Sequence, residues 1–299
     1  MHPPQATTRI DGSAARRWLA RVAAACVIAV GLSGCGASLL YGRLDTLVGF
    51  YIRGLVSLDD SQSALLARTL EHNLDWHRST ELERYDDFLR GLAAQVRQGL
   101  TRGGLQEAAA QAEVYWRRIF EQAAPGYTEL AATLTDQQVR ELLASLKEAD
   151  DKTWREYSHR KSQDRLEHRE KSLRRNIERM TGPLTGPQRK LVHDYAWGVR
   201  PFMFEWRENR RIWRDELAAT LALRSSRSPE FSARMRVLIA APDRLWTPEY
   251  RKALEAGRVE FIELLVRLDG TLTPQQRGHA EERLLALAEE MRGLAQRRG

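Results

Sequence analysis

Apolar positions along this chain return every three or four residues, and no stretch alternates convincingly in the manner of a strand. Tyr85, Phe88, Leu89, Leu92, Val96 and Leu100 fall on one helical face, as do Tyr250, Leu254, Phe261, Ile262, Leu265 and Leu268. Gly103-Gly104, Pro125-Gly126, Gly182-Pro183, Pro229, Pro242, Pro248 and Gly270 punctuate the pattern into helices of ordinary length. The expected fold is all-α, a multi-helix antiparallel bundle, with an elongated arrangement equally compatible with the pattern.

Three segments depart from plain amphipathicity. Leu44, Leu47, Val48, Tyr51 and Leu55 form a short apolar face whose opposite side is not rich in lysine, which favours docking on the bundle over lying on a membrane. Asp151 to Met180 is dense in charge, with Arg155, Arg160, Lys161, Arg165, Arg169, Lys171, Arg174, Arg175 and Arg179 around a thin stripe of Leu166, Leu173, Ile177 and Met180. Such a stretch predicts a charged helix projecting from the body with a narrow contact seam. Its basic face is either simply solvated or a place for anionic head groups or acidic clients. Trp197, Phe202, Phe204, Trp206 and Trp213 then surround Pro201, which should divide or kink the helix there. Phe202, Trp206, Trp213 and Leu217 share a stripe that reads as core.

Four short segments repeat one pattern: Leu58-Asp59-Asp60-Ser61-Gln62, Leu134-Thr135-Asp136-Gln137-Gln138, Leu184-Thr185-Gly186-Pro187-Gln188 and Leu272-Thr273-Pro274-Gln275-Gln276. Each reads as a capping box. The side chain of Asp59, Thr135, Thr185 or Thr273 accepts from the backbone N–H of the third helical residue, and the glutamine there (Gln62, Gln138, Gln188 or Gln276) reaches back to the cap's own N–H. The leucine before each cap is placed to act as a hydrophobic staple, and Pro274 occupies the first helical position, where no N–H is needed. The starts are unevenly spaced, so a helix start is reused without a strict repeat period. This Leu-Thr-x-x-Gln pattern resembles the motifs of small ATP-independent periplasmic stress-response chaperones, which implies an all-helical body that holds client proteins.

The amino terminus adds a compartment. Arg16, Arg17 and Arg21 precede an apolar run from Val22 to Leu32, too short to span a bilayer and suited to a secretory leader. The run ends in Leu32-Ser33-Gly34-Cys35, which resembles the lipobox of bacterial lipoproteins. That resemblance implies a signal peptide over residues 1–34, cleavage before Cys35, and acyl chains on the Cys35 thiol and its new amino group. Gly36 in place of an aspartate is similar to the pattern of lipoproteins passed to the outer membrane of a Gram-negative envelope, on its periplasmic face. Residues 35–57 would then be the lipidated cysteine with a juxta-anchor helix, and 58–299 the helical domain. The remaining cysteine, Cys26, lies in the leader, so neither a disulfide nor a thiolate metal site is expected in the mature chain.

Charge narrows the partners. The full chain carries 47 basic and 40 acidic residues, +7 overall. Losing Arg9, Arg16, Arg17, Arg21 and Asp11 with the leader leaves 43 against 39, a balance that speaks against nucleic acid as a partner.

Trp76-His77-Arg78-Ser79-Thr80-Glu81-Leu82-Glu83-Arg84-Tyr85 follows at the expected distance from the lipobox. The block resembles a family of bacterial lipoproteins with a helical domain of unknown function, in which a Trp-His-Arg-x-Thr-Glu-Leu-Pro-x-Tyr block stands here. Glu83 replaces the proline, and Thr80 with Glu83 offers a substitute capping box. Trp76, His77, Arg78 and Glu81 read in two ways. They are a surface site for a peptide or envelope component, or an interhelical corner in which Trp76 packs, Arg78 pairs with Glu81 and His77 caps a helix end.

Catalytic and metal signals are weak. Glu156-Tyr157-Ser158-His159 has the Glu-x-x-His spacing of di-iron bundles but no second copy, and no phosphate loop or nucleophile elbow appears. The expectation is a non-catalytic, chaperone-like or scaffolding lipoprotein of the cell envelope. It would have no catalytic residue, no metal and no cofactor beyond the lipid on Cys35, and its partners would be the membrane through the anchor and unfolded or envelope proteins. The alternative is an envelope hydrolase whose Glu and His side chains are brought together by the fold.

Overall fold

A computed structural model describes residues 41–296. The expected leader, residues 1–34, and the expected lipidation site Cys35 lie outside the described residues. Eleven α-helices follow one another: α1 Leu44–Arg53, α2 Asp60–Thr80, α3 Leu82–Gln98, α4 Arg102–Ala132, α5 Asp136–His159, α6 Ser162–Thr181, α7 Gly186–Gly198, α8 Met203–Leu221, α9 Pro229–Ala240, α10 Pro248–Asp269 and α11 Pro274–Gln296. Short 3₁₀ turns at Arg224–Ser226 and Pro242–Leu245 flank α9. No strand occurs among the described residues, so the all-α expectation is met.

Most helices open on a side-chain cap, at the expected boxes and at further sites. Asp59, Thr101, Thr135, Thr185, Ser228 and Thr247 each accept a backbone N–H of the following turn. Gly99 (φ 104°) and Gly182 (φ 79°) end α3 and α6 in a conformation that a side chain would strain. Pro201 separates α7 from α8 as expected. Pro125-Gly126 does not divide the chain: α4 runs through it for 31 residues. Packing overrides the local signal there, because α4 crosses α2 so closely that a Cβ on Gly126 would lie 2.4 Å from Thr69 Cγ2.

The longest interface joins elements far apart in sequence. α3 and α11 run antiparallel, with Ala93 and Val96 against Ala280 and Leu284 and, at the other end, Leu82 against Met291 and Leu294. Charged side chains lace the same seam, from Arg292 on Asp86 (2.7 Å) to Arg97 on Glu281 (2.8 Å). A second core gathers Leu146 of α5, Leu217 and Leu221 of α8 and Phe231, Met235 and Leu238 of α9 around Ala131 of α4. Val48 and Ile52 of α1 pack onto Leu66, Leu70 and Leu130, so α1 docks on the bundle.

The charged stretch is corrected on two points. It is broken at Arg160-Lys161 into the end of α5 and the start of α6, and α6 does not project. Although no α6 residue is fully buried, Leu173 and Ile177 pack on Leu184, Val192 and Leu268, and Met180 reaches the α3–α11 core. Arg169 donates to the last carbonyls of α7, at Ala196 (3.1 Å) and Val199 (2.7 Å). A thin apolar stripe suffices because arginine hydrogen bonds to a helix end supplement it.

Candidate functional site

All four capping boxes form, and they form in pairs. Gln62 and Gln138 face each other, as do Gln188 and Gln276. Within the second pair, Gln188 Nε2 donates to Gln276 Oε1 (2.8 Å) and Gln276 Nε2 returns the bond to Gln188 Oε1 (2.9 Å). The other amide hydrogen of each glutamine goes to the carbonyl two residues before the partner's cap: Gln188 to Thr271 (2.8 Å) and Gln276 to Pro183 (2.8 Å). Each Oε1 also accepts its own cap's N–H, from Thr185 (2.9 Å) and Thr273 (3.1 Å). The first pair repeats this bond for bond, Gln62 donating to Thr133 O (2.9 Å) and Gln138 to Ser57 O (2.7 Å). Every donor and acceptor of these amides is used, which permits Gln62 and Gln188 to be 2% and 0% exposed. The boxes are therefore clasps between helix starts, α2 with α5 and α7 with α11. The sequence held one signal of this: glutamine in all four boxes, where capping alone accepts glutamate equally.

The Trp76 to Tyr85 block lies at the α2–α3 junction, where helical dihedrals continue through Glu81. Its contacts differ from the expected ones. Arg78 bonds Asp75 (3.0 Å), not Glu81. Glu81, wholly buried, takes Nε (2.9 Å) and Nη2 (2.6 Å) of Arg118 from α4, whose guanidinium also covers the Trp76 ring at 5.9 Å. Thr80 and Glu83 make no capping box, since α3 begins with no side-chain cap. A continuing helix leaves no orphan N–H for such a cap to satisfy.

His77 caps nothing with its ring. Its Nδ1 bonds Tyr41 Oη at 2.9 Å, and the ring stands edge-on to Tyr85 at 5.4 Å. Tyr85 then meets Tyr115, which meets Phe88. Burial in this aromatic stack drives the imidazole down to about 4, against a smaller upward pull from Glu81. Hence all four predicted residues come together, but the corner is filled by the protein's own Tyr41 and Arg118.

Other buried carboxylates are likewise held by arginines: Asp86 by Arg90 and Arg292, Asp150 by Arg210 and Arg214, Asp269 by Arg277. Removing one partner from such a pair would strand a buried charge, so these are fastenings of the fold. His159 ends α5. No group of three or more His, Cys, Asp or Glu side chains fit to hold a metal occurs among the described residues. None of the described helices is long and apolar enough to cross a membrane.

Open apolar surface lies elsewhere. The first two thirds of α4, Arg102 to Gln122, contain no fully buried residue, and Val114 and Trp116 are 49% and 38% exposed. On α10, Val259 and Phe261 are 42% and 38% exposed, Phe261 beside Tyr195 of α7. Ion pairs join these two helices, Arg258 to Glu113 (3.4 Å) and Arg102 to Glu263. Farther along α4, a groove of about 590 Å³ against α9 is lined by Glu121, Pro125, Glu129, Arg227, Phe231 and Arg236.

A family model matches residues 54–251, two thirds of the chain, from just before the first clasp to the start of α10. The chain belongs to DUF6279, a family of unknown function. No curated protein and no solved structure matches it. The DUF6279 match includes three of the four boxes and stops before the fourth, Thr273 with Gln276, which completes the second clasp.

Proposed function

We propose that this DUF6279 protein is a lipid-anchored component of the cell envelope, held by acyl chains on Cys35 at the periplasmic face of the outer membrane, and that it works by binding unfolded or partner proteins without catalysis. The observation that carries the reading is the apolar side chains left exposed on two neighbouring helices, Val114 and Trp116 of α4 and Val259 and Phe261 of α10. A rigid helical frame that leaves aromatic and β-branched side chains in water, bordered by ion pairs, suits weak capture of apolar segments. Docking of Tyr41 on His77 fits an anchored chain. Cys35 to Tyr41 spans at most about 20 Å when fully extended, so the corner would fasten the body close to its anchor.

Light scattering by a chemically unfolded client tests the reading, using residues 36–299 beside a Trp116→Ser, Phe261→Ser variant. Substoichiometric protein should suppress scattering and the variant should lose most of that effect. Absence of suppression across several clients would reject the chaperone-like role. The anchor is tested separately, since Cys35→Ala should abolish both acylation and membrane fractionation.

A further inference from the structure

At the junction of α5, α6 and α8 a chain of rings is set among cations. Trp154 lies 6.0 Å from Tyr157 and 5.0 Å, edge-on, from Phe204. Arg207 covers the Trp154 ring at 4.5 Å and Arg165 covers Tyr157 at 4.5 Å. Arg165 is fixed there by donating to the carbonyls of Tyr157 (3.2 Å) and Arg160 (2.5 Å), which puts Arg160 and Lys161 at the edge of the same patch. Phe204 stands out of the surface, 68% exposed, and Phe202 beside it is 37% exposed against Tyr250.

The charge here is one-sided. The acids of the first α8 turns are engaged, Glu205 by Arg200 and Glu208 by Arg211. Lys152 and Glu156 offer one charge of each sign. Arg160, Lys161, Arg165 and Arg207 are four cations at this junction, and the nearest acids of the first α6 turns are Asp164 and Glu167, which leaves an excess of positive charge near a protruding phenylalanine.

We propose that this patch is a membrane contact, in which Phe204 and Phe202 enter the interfacial region of a bilayer while Arg160, Lys161, Arg165 and Arg207 meet anionic lipid head groups. The choice of a membrane over an acidic polypeptide rests on arrangement. Phe204, the most exposed of the large apolar side chains, stands against the Trp154 ring, and Arg207 and Arg165 lie over Trp154 and Tyr157, so apolar, aromatic and cationic groups meet in one place as they do at a bilayer interface. None of these residues lines the groove on α4 and α9, where an extended acidic segment would find walls on both sides. The contact is a second attachment, independent of any acyl chain on Cys35, and would fix which side of the body faces the membrane.

Vesicle cosedimentation with the full chain tests the proposal, comparing phosphatidylcholine vesicles with vesicles containing phosphatidylglycerol. Three chains are compared: the parent, Phe204→Ser, and Lys161→Glu with Arg207→Glu. A leader or acyl chain is common to all three, so the difference between parent and variants isolates the patch. The substituted side chains are exposed, and an unchanged thermal midpoint confirms that each variant is folded. The parent should prefer anionic vesicles, the charge reversal should weaken that binding at least tenfold, and Phe204→Ser should weaken it several-fold. Raised salt should act mainly on the parent. Equal binding by parent and variants would overturn the proposal. So would binding of the parent to polyglutamate with no preference for anionic vesicles, which would assign the patch to an acidic polypeptide.

Discussion

At the α2–α3 junction the imidazole of His77 exchanges water for Tyr41 and Tyr85, and its folded pKa falls to about 4. The ring is neutral at pH 7. An unfolded chain would take up its proton near pH 6.5, so between 6.5 and 4 the unfolded state binds more protons and stability drops as pH falls. His77 alone should cost about 2 kcal/mol by pH 5 relative to pH 7.5. Urea midpoints between pH 7.5 and 5 should fall further for the parent than for His77→Phe, which has no imidazole to protonate; parallel curves would show that His77 is not the group responsible. The residue types of this corner were legible in the sequence, but their partners were not. Arg78 has acids in reach on both sides, Asp75 and Glu81, and what decides between them is Arg118, which arrives from a helix 37 residues away and takes Glu81.

At the scale of elements, the glutamine clasps explain why helix starts separated by 76 and 88 residues meet in register. Replacing Gln188 by Glu separates capping from clasping. A carboxylate still accepts from the Thr185 N–H, so an ordinary capping box would hardly notice. It cannot donate to Gln276 Oε1 or Thr271 O, and it would bury a charge against an acceptor. A loss of roughly 3 kcal/mol is expected, partly recovered at acid pH when the carboxyl regains a donor. Wild-type stability of Gln188→Glu in thermal or urea unfolding would reduce the pair to two independent caps. Aromatic stripes sort by the same logic: Trp213 and Leu217 join the core as the periodicity implies, whereas Phe202 remains exposed because Pro201 ends the preceding helix and turns α8's first residues outward.

For the molecule as a whole, the last helix closes what an early one opens. α11 covers the apolar face of α3, supplies Arg292 to Asp86 and brings Gln276 to Gln188, all from beyond residue 251. Residues 54–251, the part matched by the family model, should therefore lack a cooperative transition and bind a hydrophobic dye, while residues 41–296 should unfold in one step. A sharp transition of 54–251 at the parent's midpoint would show that α11 is an accessory. Helix content, most helix starts and the docking of α1 could be read from the sequence, because apolar period and capping chemistry act within a few residues of chain. The pairing of boxes, the owner of each buried carboxylate, the passage of α4 through Pro125 and the lateral docking of α6 were decided only in three dimensions. Each depends on a group brought from a distant helix, and local periodicity carries no record of which helix that is.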